Sequence, residues 1–369
     1  MGIFAPMAFG EPEQSIPAMT LQQAIEKALQ RDVGVKKAES EIERTEELRN
    51  QAAKKLEFMP VIGGYNYQAI KISWNSLLSA DLNWRWSKKS LEMARDSLVL
   101  KVCEGYWNVQ AARDKVAVQE KIERKALVDL QNVRAGLQAG TIAPSQLIFV
   151  ESRWQQEKNN LAAAQKTLDS AYSDFNQLVR LAIGDRPVLT DNPDYEPLDI
   201  TNLDYEVERV IEKSPTIWLA QETVTLKEWA ASILYDSTGN YIPFNSRQIT
   251  VQQAELDVAN AKDIMSQVTR SLYYQIKSLE DGYASAHVAL KMAQEKLRVE
   301  QSRFDAGMAT KAEVVAAEVA LEQARQAISD LTRQHAYLKL AFEKPWAASG
   351  GGSGASNGSS SPGATGSSR

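Results

Sequence analysis

The strongest constraint on this chain is an apolar heptad repeat that runs along both sides of a glycine turn. Such seven-residue spacing is typical of long helices that pack side by side. The turn is Ala139-Gly140-Thr141, and Glu123 is the one charged residue on its stripe. The sequence therefore predicts an antiparallel pair of long helices. The apolar positions are Val102, Val109, Val116, Leu130 and Leu137 before the turn, and Leu147, Trp154, Leu161, Leu168 and Phe175 after it.

The same arrangement recurs further along the chain. Val314 corresponds to Leu147 (314 − 147 = 167), and a second turn, Ala306-Gly307-Met308, lies at the same offset from the first. Shorter helical patterns that precede the long helices also match, with Leu203 corresponding to Leu21 (203 − 21 = 182). A register shared by two helices and a turn indicates a duplication. We expect a first repeat over residues 19–182, a Pro- and Asp-rich connector over residues 183–202, and a second repeat over residues 203–345.

The stretch between the short and long helices has a different pattern in each repeat. Residues 59–86 alternate with a period of two, which predicts a β-hairpin. The second repeat is 15 residues shorter here (182 − 167 = 15) and offers one short hairpin at about residues 233–251. The aromatic residues of the first stretch are either a belt at a membrane interface or packing within a small sheet that does not span a membrane. They are Tyr65, Tyr67, Trp74, Trp84 and Trp86.

Composition argues against catalysis and against nucleic acid. The net charge is −5 and the charges are interleaved, so no basic face is available for phosphates. One cysteine and two histidines are too few for a zinc, haem or iron–sulfur site. We expect Cys103 to be a small buried residue and His335, on an apolar stripe, to be packed. No paired carboxylates or activated nucleophile stand out, so we predict no enzyme, no catalytic residues, no cofactor and no metal.

The two ends of the chain differ from the middle. Residues 1–10 are either the remnant of a signal peptide, with small residues at Ala8 and Gly10, or a floppy apolar terminus. Residues 349–369 are almost wholly Gly, Ser, Ala and Pro, which predicts a disordered tail. No run of about 20 apolar residues exists, so a transmembrane helix is not expected.

A helix pair, a hairpin and two long helices around a glycine turn, all duplicated, resemble the TolC-like outer-membrane efflux protein (outer membrane factor) family. The resemblance covers about residues 19–345. Its most specific elements are the turn motifs Leu137-Gln-Ala-Gly140 and Phe304-Asp-Ala-Gly307, which occur at corresponding places. The opening helix at residues 21–29 and the segment at residues 178–184 add to it.

This resemblance implies a fold that is mainly α with a small β part. Duplicated long-helix coiled-coil units would form a trimeric α-barrel, and short β-hairpins would form a reduced or incomplete β-barrel. The turn residues would be helical tips that contact a periplasmic membrane-fusion adaptor, namely Gly140, Thr141, Gly307 and Met308. Glu313 and Gln146 take the positions of a pore constriction, although a solvated surface carboxylate is the alternative for Glu313.

The implied function is a passive outer-membrane export duct. It would belong to a tripartite efflux or type I secretion system, as a homotrimer that works with an adaptor and an inner-membrane pump. It would contact the lipid bilayer through its β part if that part spans. The alternative is a TolC-like helical tube with a reduced, non-spanning β part, located outside the cytoplasm, that acts as a structural or envelope-interaction protein. The shortened second hairpin favours this alternative, and the intact turn motifs oppose it.

Overall fold

A computed structural model describes residues 18–57, 66–235 and 240–349 of the chain. These residues form nine helices and two short strands. The strands are β1 (Ala18–Met19) and β2 (Val188–Leu189). The helices are α1 (Leu21–Arg31), α2 (Val33–Glu57), α3 (Asn66–Gln138), α4 (Pro144–Val179), α5 (Leu203–Lys213), α6 (Pro215–Ala231), α7 (Phe244–Asp305), α8 (Lys311–Glu343) and α9 (Pro345–Ser349). The protein is mainly helical with a small β part, as predicted.

The helix boundaries follow the two offsets found in the sequence. The starts of α5 and α6 follow those of α1 and α2 at one offset, since 203 − 21 and 215 − 33 both equal 182. The end of α7 and the start of α8 follow those of α3 and α4 at the other, since 305 − 138 and 311 − 144 both equal 167. The caps correspond as well. The Thr20 hydroxyl accepts from the Gln23 amide, and Asn202 caps α5 in the same way.

The described residues divide into two compact units, and each contains parts of both repeats. Within the described residues, the first unit comprises residues 18–33, Lys101–Asp199 and Tyr274–Lys339. The second comprises residues 34–57, 66–100, 200–235, 240–273 and 340–349. The long helices α3, α7 and α8 contribute residues to both units.

The first unit is held together around the start of the chain and the connector. Strands β1 and β2 pair in parallel, with Ala18 opposite Val188. The buried Tyr106 hydroxyl donates to the Met19 carbonyl at 2.9 Å and accepts from the Asp191 amide at 2.9 Å. Its ring meets the buried Phe175 ring edge-on at 5.9 Å. These contacts fix the ends of the first repeat against the middle of α3.

Glu123, the exception on the first apolar stripe, has a partner on the opposite stripe. Its carboxylate accepts a hydrogen bond from Trp154 Nε1 at 2.7 Å. The two residues thus satisfy each other's polar groups where α3 packs against α4. The expectations for Cys103 and His335 are confirmed, since both are buried, and burial raises the pKa of the Cys103 thiol to about 11.

The predicted hairpin over residues 59–86 is wrong for residues 66–86, which belong to helix α3. Residues 58–65, including Tyr65, lie outside the described residues. The chain has no Gly or Pro between Gly64 and Gly105, so nothing interrupts the helix. Contacts in the second unit stabilise it, because Arg49 of α2 pairs with Asp81 at 2.6 Å. The period-two spacing of aromatic residues therefore does not indicate a strand in this segment.

The predicted second hairpin, at about residues 233–251, is shorter in the structure. Tyr235 and Tyr241 form an antiparallel bridge, and the Ile242 amide donates to the Leu234 carbonyl at 2.8 Å. From Phe244 onward the chain is helical, so the prediction is wrong for residues 244–251. Residues 236–239 lie outside the described residues.

Among the described helices, none combines the length and the apolar character that crossing a bilayer requires.

Candidate docking tips

The two glycine turns, which close the α3–α4 and α7–α8 pairs, have the same backbone geometry. Gly140 has φ +74° and Gly307 has φ +71°. The Gly140 amide donates to the Leu137 carbonyl at 3.0 Å, and the Thr141 amide donates to the Gly136 carbonyl at 2.9 Å. The second turn repeats both bonds, at 2.9 Å from Gly307 and 2.8 Å from Met308. Each turn is therefore a Schellman motif, which satisfies the last carbonyls of a helix.

Glycine is favoured at these two turns because the backbone has a positive φ, and not because neighbouring atoms leave no room for a side chain. A Cβ atom built at Gly140 or Gly307 would have no heavy atom within 4 Å. The left-handed conformation nevertheless disfavours side chains, most of all β-branched ones. The space around both glycines is open, so the turns expose their backbone to any partner that approaches them.

The helices that follow the turns begin differently in the two repeats. In α8, Glu313 completes a capping box: its Oε2 accepts from the Thr310 amide at 2.6 Å and from the Thr310 hydroxyl at 2.9 Å. In α4, Gln146 takes the equivalent third helical position, but Ala143 precedes the helix and provides no side-chain cap. The sequence has an amide at one of these positions and a carboxylate at the other. The structure shows that this carboxylate caps the start of α8.

The capping contacts also set the charge state of Glu313. Hydrogen bonds from the Thr310 backbone and hydroxyl lower the pKa of Glu313, and the positive charge of Arg303 adds to this effect. The carboxylate is fully exposed, so it presents a stable negative charge to solvent at the start of α8.

Apolar side chains are unusually exposed next to both turns. Met308 is 68% exposed, and Ile148 and Phe149 in the first turns of α4 are each 70% exposed. Thr141 is exposed too, and its hydroxyl donates to the Gly136 carbonyl at 2.9 Å. Exposed apolar groups of this size, at the edge of a polar backbone turn, are suited to contact with another protein.

The residues predicted to lie at a membrane interface do not join the tips. Trp74, Trp84 and Trp86 lie in the second unit, on α3, whereas both turns lie in the first unit. Trp74 is 42% exposed, while Lys88 Nζ lies 3.4 Å from the centre of the Trp84 ring. For Tyr67 the structure describes only the backbone, which is helical. Their role at a membrane stays a prediction.

The connector carries a cluster that sequence reasoning missed. Tyr195 stacks on Tyr283 with ring centres 3.7 Å apart and planes at 9°, and His335 lies 5.1 Å from Tyr195. Glu280 accepts from the Leu198 amide at 2.6 Å and lies 3.3 Å from His335 Nε2. The signal that the sequence offered was His335, whose ring places polar atoms on an apolar stripe.

Glu280 is the electrostatic centre of this cluster. Burial opposes its ionisation, but hydrogen bonds from Lys277, the Leu198 amide and His335 together lower its pKa. The carboxylate thus holds the connector against α7 as an ionised group.

The sequence matches no protein-family model and no curated protein. Solved structures do resemble it. The outer-membrane channel OprN aligns with a TM-score of 0.66 and 12% identity, over 89% of this chain and 90% of that one. The outer membrane protein VceC of Vibrio cholerae aligns with a TM-score of 0.64 and 12% identity, over 89% and 95%. The MtrE outer membrane channel of Neisseria gonorrhoeae, in its open state, aligns with a TM-score of 0.63 and 15% identity, over 90% and 89%.

These likenesses extend over most of both chains and reach structures described as channels. At 12–15% identity they establish fold. Together with the duplicated helices and paired glycine turns, they show that this chain has the TolC-like outer-membrane factor fold.

Proposed function

We propose that this protein is a passive outer-membrane export duct, which passes substrates through a tube of helices and performs no chemistry. The observation that carries the proposal is the pair of equivalent Schellman turns, each closing a hairpin of long helices, in a fold that the matched channel proteins share. Both turns present open backbone and exposed apolar side chains. A turn with both features is suited to contact with a partner protein.

We propose further that the protein works as a homotrimer. In the part of the chain that the structure describes, large apolar side chains on α7 are exposed, among them Leu256 at 68%, Val288 at 58% and Met292 at 65%. Val288, Met292 and Val299 are spaced as one face of a helix. Burying such a face against another copy removes apolar surface from water, which favours assembly.

In this proposal the tips meet a periplasmic membrane-fusion adaptor that links the duct to an inner-membrane pump. Gly140, Thr141, Gly307 and Met308 would supply the contact. Glu313 would place a negative charge near the narrow end in each copy, and Gln146 would supply a neutral amide at the equivalent place. The location that follows is the outer membrane, with the helices in the periplasm.

The test separates docking from assembly. Gly140→Val and Gly307→Val would be compared with Gly184→Val, which changes an uncrowded glycine without left-handed φ. Sedimentation of the detergent-solubilised protein gives the trimer content, and pull-down with an adaptor encoded beside the gene, with export in cells, gives function. We expect trimers in all three variants, with docking and export lost only in the first two.

Two results would contradict the proposal. A folded wild-type monomer of about 41 kDa, calculated from the 40.9 kDa chain, would exclude the trimer. Normal export by the trimeric variants at Gly140 and Gly307 would exclude the tips as docking sites.

The second candidate is a structural or envelope-interaction protein of the same fold. One observation favours it: residues 66–86, which were predicted to be part of a β-hairpin, belong to α3. Under this candidate, disruption of assembly would alter the envelope while the tip variants behave as wild type.

A further inference from the structure

The first unit contains a cleft of about 510 Å³ that the proposed duct function does not use. Three helices line it, each with residues spaced three or four apart, so each presents a single face. The lining of α3 includes Glu104, Trp107 and Ala111, that of α7 includes Ser278 and Leu279, and that of α8 includes Asp330, Arg333, Tyr337 and Leu338.

Five of the residues that line the cleft are apolar or aromatic, and Asn108, Gln275, Ser278 and Gln334 add uncharged polar groups. Trp107 is only 6% exposed, so its ring is held in place by the packing of α3. Tyr337 lines the cleft from α8, with Leu279 and Leu338 completing the apolar lining. A planar aromatic ligand is suited to these residues, because an aromatic ring buries a large area and has few rotatable bonds.

The charge of the cleft is negative. Arg333 is the one guanidinium among its described lining residues, and its side chain is 7% exposed. Arg333 Nη2 pairs with Asp114 at 2.7 Å and with Asp330 at 2.8 Å, so its charge is already compensated. Glu104 is an exposed carboxylate with no ion-pair partner among the described residues. Among the lining residues, the two carboxylates of Glu104 and Asp330 against one guanidinium leave a net charge of −1.

The field of Glu104 reaches the aromatic wall. Burial raises the pKa of Tyr337, and the nearby negative charge of Glu104 raises it further. A carboxylate beside aromatic faces attracts cations, since the face of an aromatic ring also carries negative potential. An anionic ligand would meet repulsion from the same groups.

We propose that the cleft between α3, α7 and α8 binds a small aromatic monocation. Its ring system lies between Trp107 and Tyr337, and its positive charge faces the Glu104 carboxylate. A bare metal ion does not fit, because Glu104 is the one carboxylate outside an ion pair in the part of the cleft that the structure describes, and the uncharged polar residues beside it are amides and a serine. The inference goes beyond the proposed duct, since binding to the purified chain requires neither an adaptor nor export.

Ethidium is a suitable probe, and the anionic dye 8-anilinonaphthalene-1-sulfonate is its charge-reversed counterpart. Calorimetry on the purified full-length protein should show saturable binding of one ethidium per chain. Glu104→Gln should weaken ethidium about fivefold, the loss expected for one partly screened charge contact. The same variant should leave the anionic dye equal or stronger.

The matched control is Glu120→Gln, which removes one carboxylate from an exposed position on the same helix. Glu120 lies well beyond Glu104 along α3, at a separation of about 24 Å for a rise of ~1.5 Å per residue. We expect it to leave ethidium affinity unchanged. Ala111→Leu, which fills part of the cleft without touching a charge, should also reduce binding while helical content stays at the wild-type level.

Three outcomes would overturn the proposal. Wild-type protein that shows no saturable ethidium binding has no such site. Equal weakening by Glu104→Gln and Glu120→Gln would mean attraction to the overall negative charge. Undiminished binding in Ala111→Leu would place the dye elsewhere. Since none of these measurements requires an adaptor or transport, they leave the duct proposal untouched.

Discussion

The backbone of the second turn provides a sharp test of the reasoning about the tips. Gly307 has φ +71° with open space around it, so a substitution there introduces backbone strain and no steric clash with neighbours. Gly307→Val and Gly307→Asn therefore differ mainly in how well each residue tolerates the left-handed region. Asn adopts that region routinely, whereas a β-branched residue there is an outlier.

The magnitude follows from this difference. Most residues with a Cβ lose about 1–2 kcal/mol in the left-handed region, and the β-branched Val falls at about 2 kcal/mol. Asn is an exception because its side chain hydrogen-bonds locally, and we place its cost at about 0.5 kcal/mol. The difference of roughly 1.5 kcal/mol corresponds to about a tenfold change in the equilibrium for opening the turn. Opening breaks the hydrogen bonds from Gly307 to Phe304 and from Met308 to Arg303.

Hydrogen exchange of the peptide that spans residues 303–313 measures this opening directly. We expect exchange about tenfold faster in Gly307→Val than in Gly307→Asn, with peptides of the second unit unchanged in both. If Val and Asn gave the same protection, the left-handed strain would not govern the turn. The structural account of both tips would then fail, because Gly140 has the same geometry.

Three further predictions follow from individual contacts. The pKa of Glu313 is lower in the folded protein than in the unfolded chain. The cap should therefore be fully formed at a pH above the unfolded-state pKa, and it should be lost as the pH falls through the lower, folded-state pKa. Glu313→Gln should abolish this pH dependence of exchange at the start of α8. Asn176→Ala removes a buried amide that donates to three carbonyls and should lower the unfolding free energy by about 2 kcal/mol in urea denaturation. The exposed Asn160→Ala should change it by under about 0.5 kcal/mol. Tyr195→Leu removes the stacked pair with Tyr283 and should speed proteolysis of the connector, and an unchanged cleavage rate would show that the stack does not hold it.

The helical hairpins were predictable because their signals are local. A heptad stripe reports burial along one helix, and a glycine between two stripes marks the left-handed residue of a turn. The turns at Gly140 and Gly307 were predicted this way, and the positive φ of both glycines is typical of such turns. Matching offsets then identified the second repeat without any knowledge of tertiary contacts.

The start of α3 was not predictable from the same kind of signal. Tyr65, Tyr67 and the three tryptophans suggested strands, since aromatic residues favour them and period-two spacing supports them. The helix is stabilised by partners distant in sequence, such as Glu222 of α6, which pairs with Arg85 at 2.8 Å. A single-sequence pattern contains no information about such a partner, so tertiary contacts overrode the local preference.

In the connector, the lack of regular structure was predictable from the sequence, but its tertiary contacts were not. Its prolines and aspartates predicted a loop, and most of it has no regular secondary structure. The pattern did not indicate that Tyr195 would stack on Tyr283 or that Asp191 would accept from the Leu21 amide at the start of α1. Side chains in irregular segments have no periodicity from which a contact can be inferred.

The differences between the two repeats bear most directly on function. At the third position of the helix after each turn, the first repeat has Gln146 and the second has Glu313, and only the second has a Thr hydroxyl to complete a capping box. The acid therefore has a structural role that needs no pore.

Capping does not neutralise Glu313, however, because Thr310 donates neutral hydrogen bonds and the carboxylate remains exposed and ionised. In a trimer, three such charges at one end would repel one another, and that repulsion would oppose closure of the narrow end unless a cation or a donor lay between them. A cap and a charge are thus compatible roles for Glu313 in the proposed duct, and at the equivalent position the neutral Gln146 would add no charge.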